Sequence, residues 1–347
     1  MKKVKTNYGS RSEELLEQAK QIIEKEGAKG WELAKETLIK QETNDLQLQE
    51  AINYLAHGPQ DFFRPALLSL CSKAVGGSAE NTIPYSVSLI FFSKAIGIHD
   101  DVIDNLKVRN ERQTFFGKFG KDLALILSDI LLFKGFTLMR KSFKTKIPQQ
   151  AIAETLETID HIWFEQGEGE VFEVRSRRHW DISPQECLAK IKKRASEFEA
   201  ITRIGGILGG GSPEEVNILG KFGRLYGMMS LLRDEIIDML ELDMLRHRIR
   251  YESLPLPIIY SMNDPTLKSK IISLLSKKRL TEMDLLKISK ISDKAGGINF
   301  TANQIIKMFK EACSYLDSLE TKNDELKILT TLLIINPKDW KPVLQFK

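Results

Sequence analysis

IPYSVSLIFFSKAIGIHDDVIDNL, residues 83–106, decides the fold. The stretch is apolar for most of its length, keeps the three- and four-residue spacing of a helix, and ends in Asp100-Asp101-Val102-Ile103-Asp104. On a helix Asp100 and Asp104 project from one face about one turn apart, with Asp101 beside them. Like charges so placed repel, and unpaired carboxylates on a largely buried helix are costly, so the pattern points to cation coordination. Magnesium prefers oxygen ligands and bridges one or two carboxylates to substrate phosphates.

Asp234-Glu235-Ile236-Ile237-Asp238 repeats the arrangement far along the chain. A single such motif is often a solvated acidic face. Two, each set in an apolar helix with basic residues nearby, favour a pair of opposed faces holding a small metal cluster around a diphosphate.

The rest of the chain reads as helix as well. Apolar residues recur at i, i+3, i+4 and i+7, and period-two alternation is nearly absent, so the expected fold is an all-α bundle. Ser10 and Glu13 form a capping box for a helix over 11–25 that Gly27 and Gly30 end. Further helices are expected over 31–40, 45–57, 64–75, 83–106, 114–140, 149–175, 184–208, 213–244, 265–276, 302–319 and 324–333. Gly58-Pro59, Gly76-Gly77-Ser78, 209–212 and 254–257 are turns. No long linker or repeat divides the chain, which reads as one domain over 1–347.

Composition narrows the function. In 347 residues, Lys and Arg number 51 against 47 Asp and Glu, a scattered excess that does not indicate a nucleic-acid surface. Cys71, Cys187 and Cys313 lack disulfide or zinc spacing and fit a reducing cytoplasm. The basic N-terminus has no apolar segment of a signal peptide, and the apolar run over 123–133 is too short and interrupted to span a membrane. Gly205, Gly206, Gly209, Gly210 and Gly211 follow a helix rather than a strand, so they mark close packing and a C-cap, not a phosphate loop. His57, His161, His179 and His247 show no ligand spacing.

With both motifs in view, the chain resembles the trans-isoprenyl diphosphate synthase, or polyprenyl synthetase, family over residues 48–259. His99 to Asp104 is similar to HDDxxD, and 119–124 to the stretch that follows it. Gly169 to Glu173 resembles GQxxD, Lys193 to Phe198 resembles KTAxLF, and Leu254-Pro255 stands at the LP pair. The resemblance implies an isoprenoid-synthase bundle around a deep apolar cavity, usually dimeric, with three magnesium ions ionising an allylic prenyl diphosphate. It makes Asp100, Asp101, Asp104, Asp234 and Asp238 the catalytic magnesium ligands, with Glu235 part of the second motif. Arg109 and Lys193 would bind the substrate diphosphate, aided by Arg233 and Arg64. Phe91, Phe92 and Ala95 would floor the cavity, although the two Phe read equally as ordinary core. Lys94, in the same apolar segment, has no role in this reading.

The departures gather at the family's isopentenyl diphosphate site. Its GGKxxRP loop reads Gly58 to Pro65 here, with Asp61 for the Lys and Arg64 retained. Ser93 replaces a His, and Asn110 replaces the second Arg of RRG. A carboxylate in place of an ammonium reverses an interaction worth about 4 kcal/mol at 4 Å and an effective dielectric near 20. Upstream of the second motif, Ser230-Leu231 replaces FQ, and Arg246, Arg248 and Arg250 read either as compensating cations or as a solvated face. The leading expectation is therefore an enzyme that ionises an allylic diphosphate of fifteen to twenty-five carbons, the cation then cyclising, eliminating or reaching an unusual acceptor. The alternatives are chain elongation with isopentenyl diphosphate and a regulatory subunit of a heteromeric synthase.

Overall fold

The computed structural model describes residues 7–109, 111–142, 148–321 and 323–334. Its helices are α1 (Asn7–Ile39), α2 (Leu46–Ala56), α3 (Phe63–Lys73), α4 (Ile83–Ile103), α5 (Phe115–Phe119), α6 (Lys121–Ser142), α7 (Gln149–Ser176) and α8 (Pro184–Arg194). They continue with α9 (Ser196–Leu208), α10 (Pro213–Leu240), α11 (Leu242–Tyr251), α12 (Leu256–Ser261), α13 (Pro265–Leu275), α14 (Glu282–Lys294), α15 (Gly297–Asp317) and α16 (Asp324–Thr331). An antiparallel hairpin, β1 (Val108–Arg109) and β2 (Arg112–Gln113), pairs Val108 with Gln113 and Arg109 with Arg112. The all-α bundle expected from the periodicity is what forms. Among the described residues no helix is long and apolar enough to cross a membrane.

Local sequence sets the helix starts. Ser183 with Glu186, and Ser212 with Glu215, form capping boxes at α8 and α10, each followed by a proline whose missing amide is harmless there. α10 lies between α9 and α15, α4 packs on α6, and α3 is held between α1 and α9. The acidic motifs thus sit on helices whose other faces are core: Phe91 and Ala95 pack with Leu127 and Leu131, while Ile236 and Met239 join the larger cluster around α10.

Several expected boundaries differ from the structure. α1 begins upstream of Ser10 and runs without a break through Gly27 and Gly30. A Cβ at Gly27 would stand 2.0 Å from the Phe62 carbonyl oxygen, and one at Gly30 2.9 Å from Pro65 and Ser86. These glycines are contact points for α3 and α4, not helix ends. The helix expected over 114–140 breaks at Gly120, whose φ of +82° favours glycine. Those expected over 184–208 and 213–244 each divide in two, at Ala195 and Glu241. α12 and α14 were not anticipated. The capping box of Thr281 and Asp284, and the buried spacing of Leu285, Ile288 and Ser292, are the signals for α14.

The contact at Gly27 makes a stability prediction. Gly27→Val should lower unfolding free energy by about 1–3 kcal/mol through overpacking. Gly167→Ala, where a Cβ meets nothing within 4 Å, should raise it by about 0.5–1 kcal/mol. Denaturant titration of both variants measures the difference, and equal effects would refute the assignment of Gly27 to a helix contact.

Candidate active site

Asp100 and Asp101 occupy the last turn of α4, and Asp104 is its C-cap, donating its amide to the Asp100 carbonyl at 2.8 Å. Asp234 and Asp238 lie one turn apart on α10. Glu252, just after α11, bears electrostatically on both Asp104 and Asp238 and so joins the two motifs into one field of negative charge. Burial and the neighbouring Glu170 carboxylate push the Asp100 pKa up to about 8. Burial and Glu252 raise Asp104 to about 7. Burial raises Asp101 and Asp238 to about 6, against the opposing pull of Arg109 and Arg248.

Guanidinium groups are drawn into that field. Arg109 reaches Asp101 at 2.9 Å, Arg177 reaches Asp104 at 2.7 Å, and Arg248 reaches Asp238 at 3.1 Å and Glu252 at 3.2 Å. Arg194, at the end of α8, binds Glu170 at 2.8 Å, lies 3.6 Å from Glu173, and faces Asp100. Beneath them Lys190 is buried between Glu173 at 2.7 Å and Ser253 at 2.6 Å. Among the described residues no three His, Cys, Asp or Glu side chains converge as a metal cage.

The residues singled out from sequence divide. Asp100, Asp101, Asp104, Asp238 and Arg109 share one charged cleft, and Asp234 precedes Asp238 by one turn on α10. Glu235 is turned into the core, accepting from the Leu256 amide at 2.8 Å. Arg233 is buried beside Tyr226, where burial lowers its pKa to about 10. Lys193 pairs with exposed Glu168. The adjacent Arg194 faces the cleft instead, standing where the expected motif has Thr, while Glu170 stands where it has Gln. Those two departures form one ion pair. Sequence reading missed Arg177 and Arg194 and left Arg248 undecided, because a cation's direction off a helix end depends on the fold. Arg246 instead pairs with Asp243 at the surface.

Residues 45–291 match the polyprenyl synthetase family. The chain belongs to that family. It is 27% identical to a short chain isoprenyl diphosphate synthase of Methanothermobacter thermautotrophicus, over 50% of this chain and 53% of that one. It is 24% identical to a geranylgeranyl diphosphate synthase of Sulfolobus acidocaldarius, over 80% and 86%. Over the first of these the chain spans about half the relative's length. Among solved structures, geranylgeranyl pyrophosphate synthetase from Pyrococcus horikoshii superposes with a TM-score of 0.79 at 22% identity, covering 91% of this chain and 99% of that one. A decaprenyl diphosphate synthase from Rhodobacter capsulatus gives 0.79 at 20%, covering 92% and 98%. At those identities the likeness shows a shared fold.

The segment resembling the family's second-substrate loop is changed in more than sequence. Arg64 binds Asp61 at 3.0 Å and Glu197 at 2.7 Å. Burial disfavours its charge, but the two carboxylates outweigh that and hold its pKa above the ordinary value. Ser93 is half-buried on α4, and Asn110 lies outside the described residues. Beyond the cleft, Leu89, Phe92, Ile96, Ile162 and Trp163 line a narrow apolar cavity. Phe92 packs on Phe136 and Trp163 at 4.7 and 5.4 Å between ring centres. Phe91 and Ala95 are buried in the adjoining cluster rather than on the cavity wall.

Glu173 supplies a pH prediction. Burial alone would raise its pKa, but Lys190 and Arg194 outweigh it and hold the carboxyl well below the ordinary range. A depressed carboxyl contributes stability above its unfolded pKa of about 4.5, lost as pH falls toward the folded value. Lys190→Met should cost about 3–5 kcal/mol near neutrality by leaving the buried carboxylate short of a partner. It should also flatten the acid limb of the stability profile. Unfolding midpoints from pH 3 to 7 for both proteins measure this, and parallel profiles would overturn it.

Proposed function

We propose that this chain is a magnesium-dependent prenyltransferase that ionises an allylic prenyl diphosphate and joins the resulting cation to isopentenyl diphosphate. The observation that carries the reading is the single acidic field formed by Asp100 and Asp104 of α4 and Asp238 of α10. Buried carboxylates with raised pKa values are stabilised by a divalent ion, so the donor set fits magnesium. Asp100, Asp101, Asp104, Asp234 and Asp238 would hold it. There the metal would neutralise charge on the diphosphate leaving group.

The chain's own cations would share that work. Arg109, Arg177 and Arg248 lie on carboxylates that metal would take over, which leaves their donors to diphosphate oxygens. As the carbon–oxygen bond breaks, its electron pair leaves with the diphosphate. The acceptor's alkene then supplies the pair for the new carbon–carbon bond, and loss of a proton restores the double bond. Phe92, Phe136 and Trp163 would keep water from the cation, because water would turn it into an alcohol. The names of the relatives support elongation over cyclisation. A second reading, cyclisation or elimination without an acceptor, is favoured by the engagement of Arg64 with Asp61 and Glu197.

Purified protein with magnesium and allylic diphosphates of ten to twenty-five carbons, with and without isopentenyl diphosphate, tests the two readings by mass spectrometry. Longer diphosphates should form only with isopentenyl diphosphate. Hydrocarbons or alcohols formed without it would transfer the assignment to the second reading. Asp100→Ala should lower turnover by at least about 100-fold, and unchanged turnover would remove the metal role.

The working form we propose is a homodimer, in a reducing cytoplasm suited to three free thiols. Ile126, Ile130 and Phe133 of α6 make an exposed apolar stripe, and Phe164 and Val171 of α7 make another. Phe133 and Phe164 are each 75% exposed. Patches of this kind mark association surfaces. Light scattering should give twice the chain mass, falling to one for Phe133→Glu/Phe164→Glu. A wild-type monomer would exclude the dimer.

A further inference from the structure

Lys94 is the single lysine of α4. It stands seven residues before Asp101 on the same helix face, roughly 10 Å along the axis. Its ammonium donates to the Pro59 carbonyl at 2.9 Å and lies 5.2 Å from the centre of the Trp31 ring. An ammonium carries three donors, and no other hydrogen-bond partner for it stands among the described residues. Burial pulls its pKa down, and Arg64 and Arg112 add to that effect against the opposing pull of Asp61.

Arg112 approaches the same turn from the other side. Its Nη1 would stand 3.6 Å from a Cβ on Gly58, one residue before the carbonyl that Lys94 holds. Its Nε and Nη2 go to the Tyr54 hydroxyl and carbonyl at 3.3 and 3.5 Å. The Tyr54 hydroxyl in turn donates to the Gln113 carbonyl at 2.7 Å, fixing the hairpin that carries Arg112. Pro59 and Gln60 are exposed, so the turn between the two cations opens to solvent. Arg64, the third cation nearby, is matched by Asp61 and Glu197. Two mutually repelling cations with open donors on one exposed turn make a cradle for an anion.

We propose that Lys94 and Arg112 hold the diphosphate of the second substrate, at a cradle about two helical turns from the acidic cleft, while Arg64 serves as a structural ion-pair partner. This rests on the prenyltransferase reading. It assigns acceptor recognition to residues outside the acidic motifs and outside the loop positions at which this chain carries Asp61 and lacks a lysine. Asp61 then has a positioning role: it holds Arg64 away from the anion and lowers the repulsion felt by Lys94.

Steady-state kinetics on the full chain tests the cradle. Lys94→Met and Arg112→Met should each raise KM for isopentenyl diphosphate at least about tenfold, with KM for the allylic diphosphate within about twofold. Lys94→Arg should restore most of the loss, and so should Asp61→Lys in the Lys94→Met background, by returning a cation to the same turn. A purely structural tie between Lys94 and Pro59 would instead move both KM values and thermal stability together, without rescue by Asp61→Lys, and that pattern overturns the proposal. If the wild type forms no elongated product, calorimetry with isopentenyl diphosphate separates the two failures. Binding lost in Lys94→Met upholds the cradle and sinks only the elongation reading; equal binding in both proteins, or none in either, overturns the cradle.

Discussion

The repulsion among carboxylates gathered near the C-terminal ends of α4 and α10 is the constraint on which the rest of this molecule depends. α4 and α10 each bury one face in the core and present acidic residues from the other. Four of those groups have pKa values raised to between about 6 and 8. Such a concentration of charge is tolerable only where cations are supplied. Arg109 comes from the hairpin, Arg177 from the end of α7, Arg194 from α8 and Arg248 from α11. The elements around the cleft are therefore placed by electrostatics as well as by packing.

That arrangement explains why the motif departures form pairs. Glu170 and Arg194 replace two uncharged residues of the expected pattern and meet at 2.8 Å. Asp61 and Glu197 both meet Arg64. Taken one at a time, each departure reads as a lost ligand or a stray charge. Taken together they form two ion-paired sets within the same fold, Glu170 with Arg194 and both Asp61 and Glu197 with Arg64.

The fold class was legible in the sequence because periodicity reports on burial directly. The 83–106 stretch shows it, ending within three residues of the helix that forms. The acidic motifs were legible because i, i+4 spacing fixes a shared face. Helix ends were less so. Gly27 and Gly30 are indistinguishable from terminators until Phe62 and Ser86 are seen against them, and Gly120 breaks a helix because its φ is positive. The cations were least legible: Lys193 and Arg194 are neighbours, yet one meets solvent-exposed Glu168 and the other the acidic cleft. A one-residue step on a helix turns a side chain by about 100°, so only the packing of α8 against α7 decides which faces inward.

The hairpin has a consequence for how the two ends of the cleft communicate. Arg109 and Arg112 are facing partners across β1 and β2, and like charges so placed push apart. One is drawn toward Asp101 and the other toward Tyr54. A ligand that pulls either guanidinium away from its present partner changes the repulsion felt by the other across the paired strands. By thermodynamic reciprocity, any help or hindrance that the first anion gives the second is returned in equal measure. Any synergy between two anions held by Arg109 and Arg112 would run through a single rung of backbone.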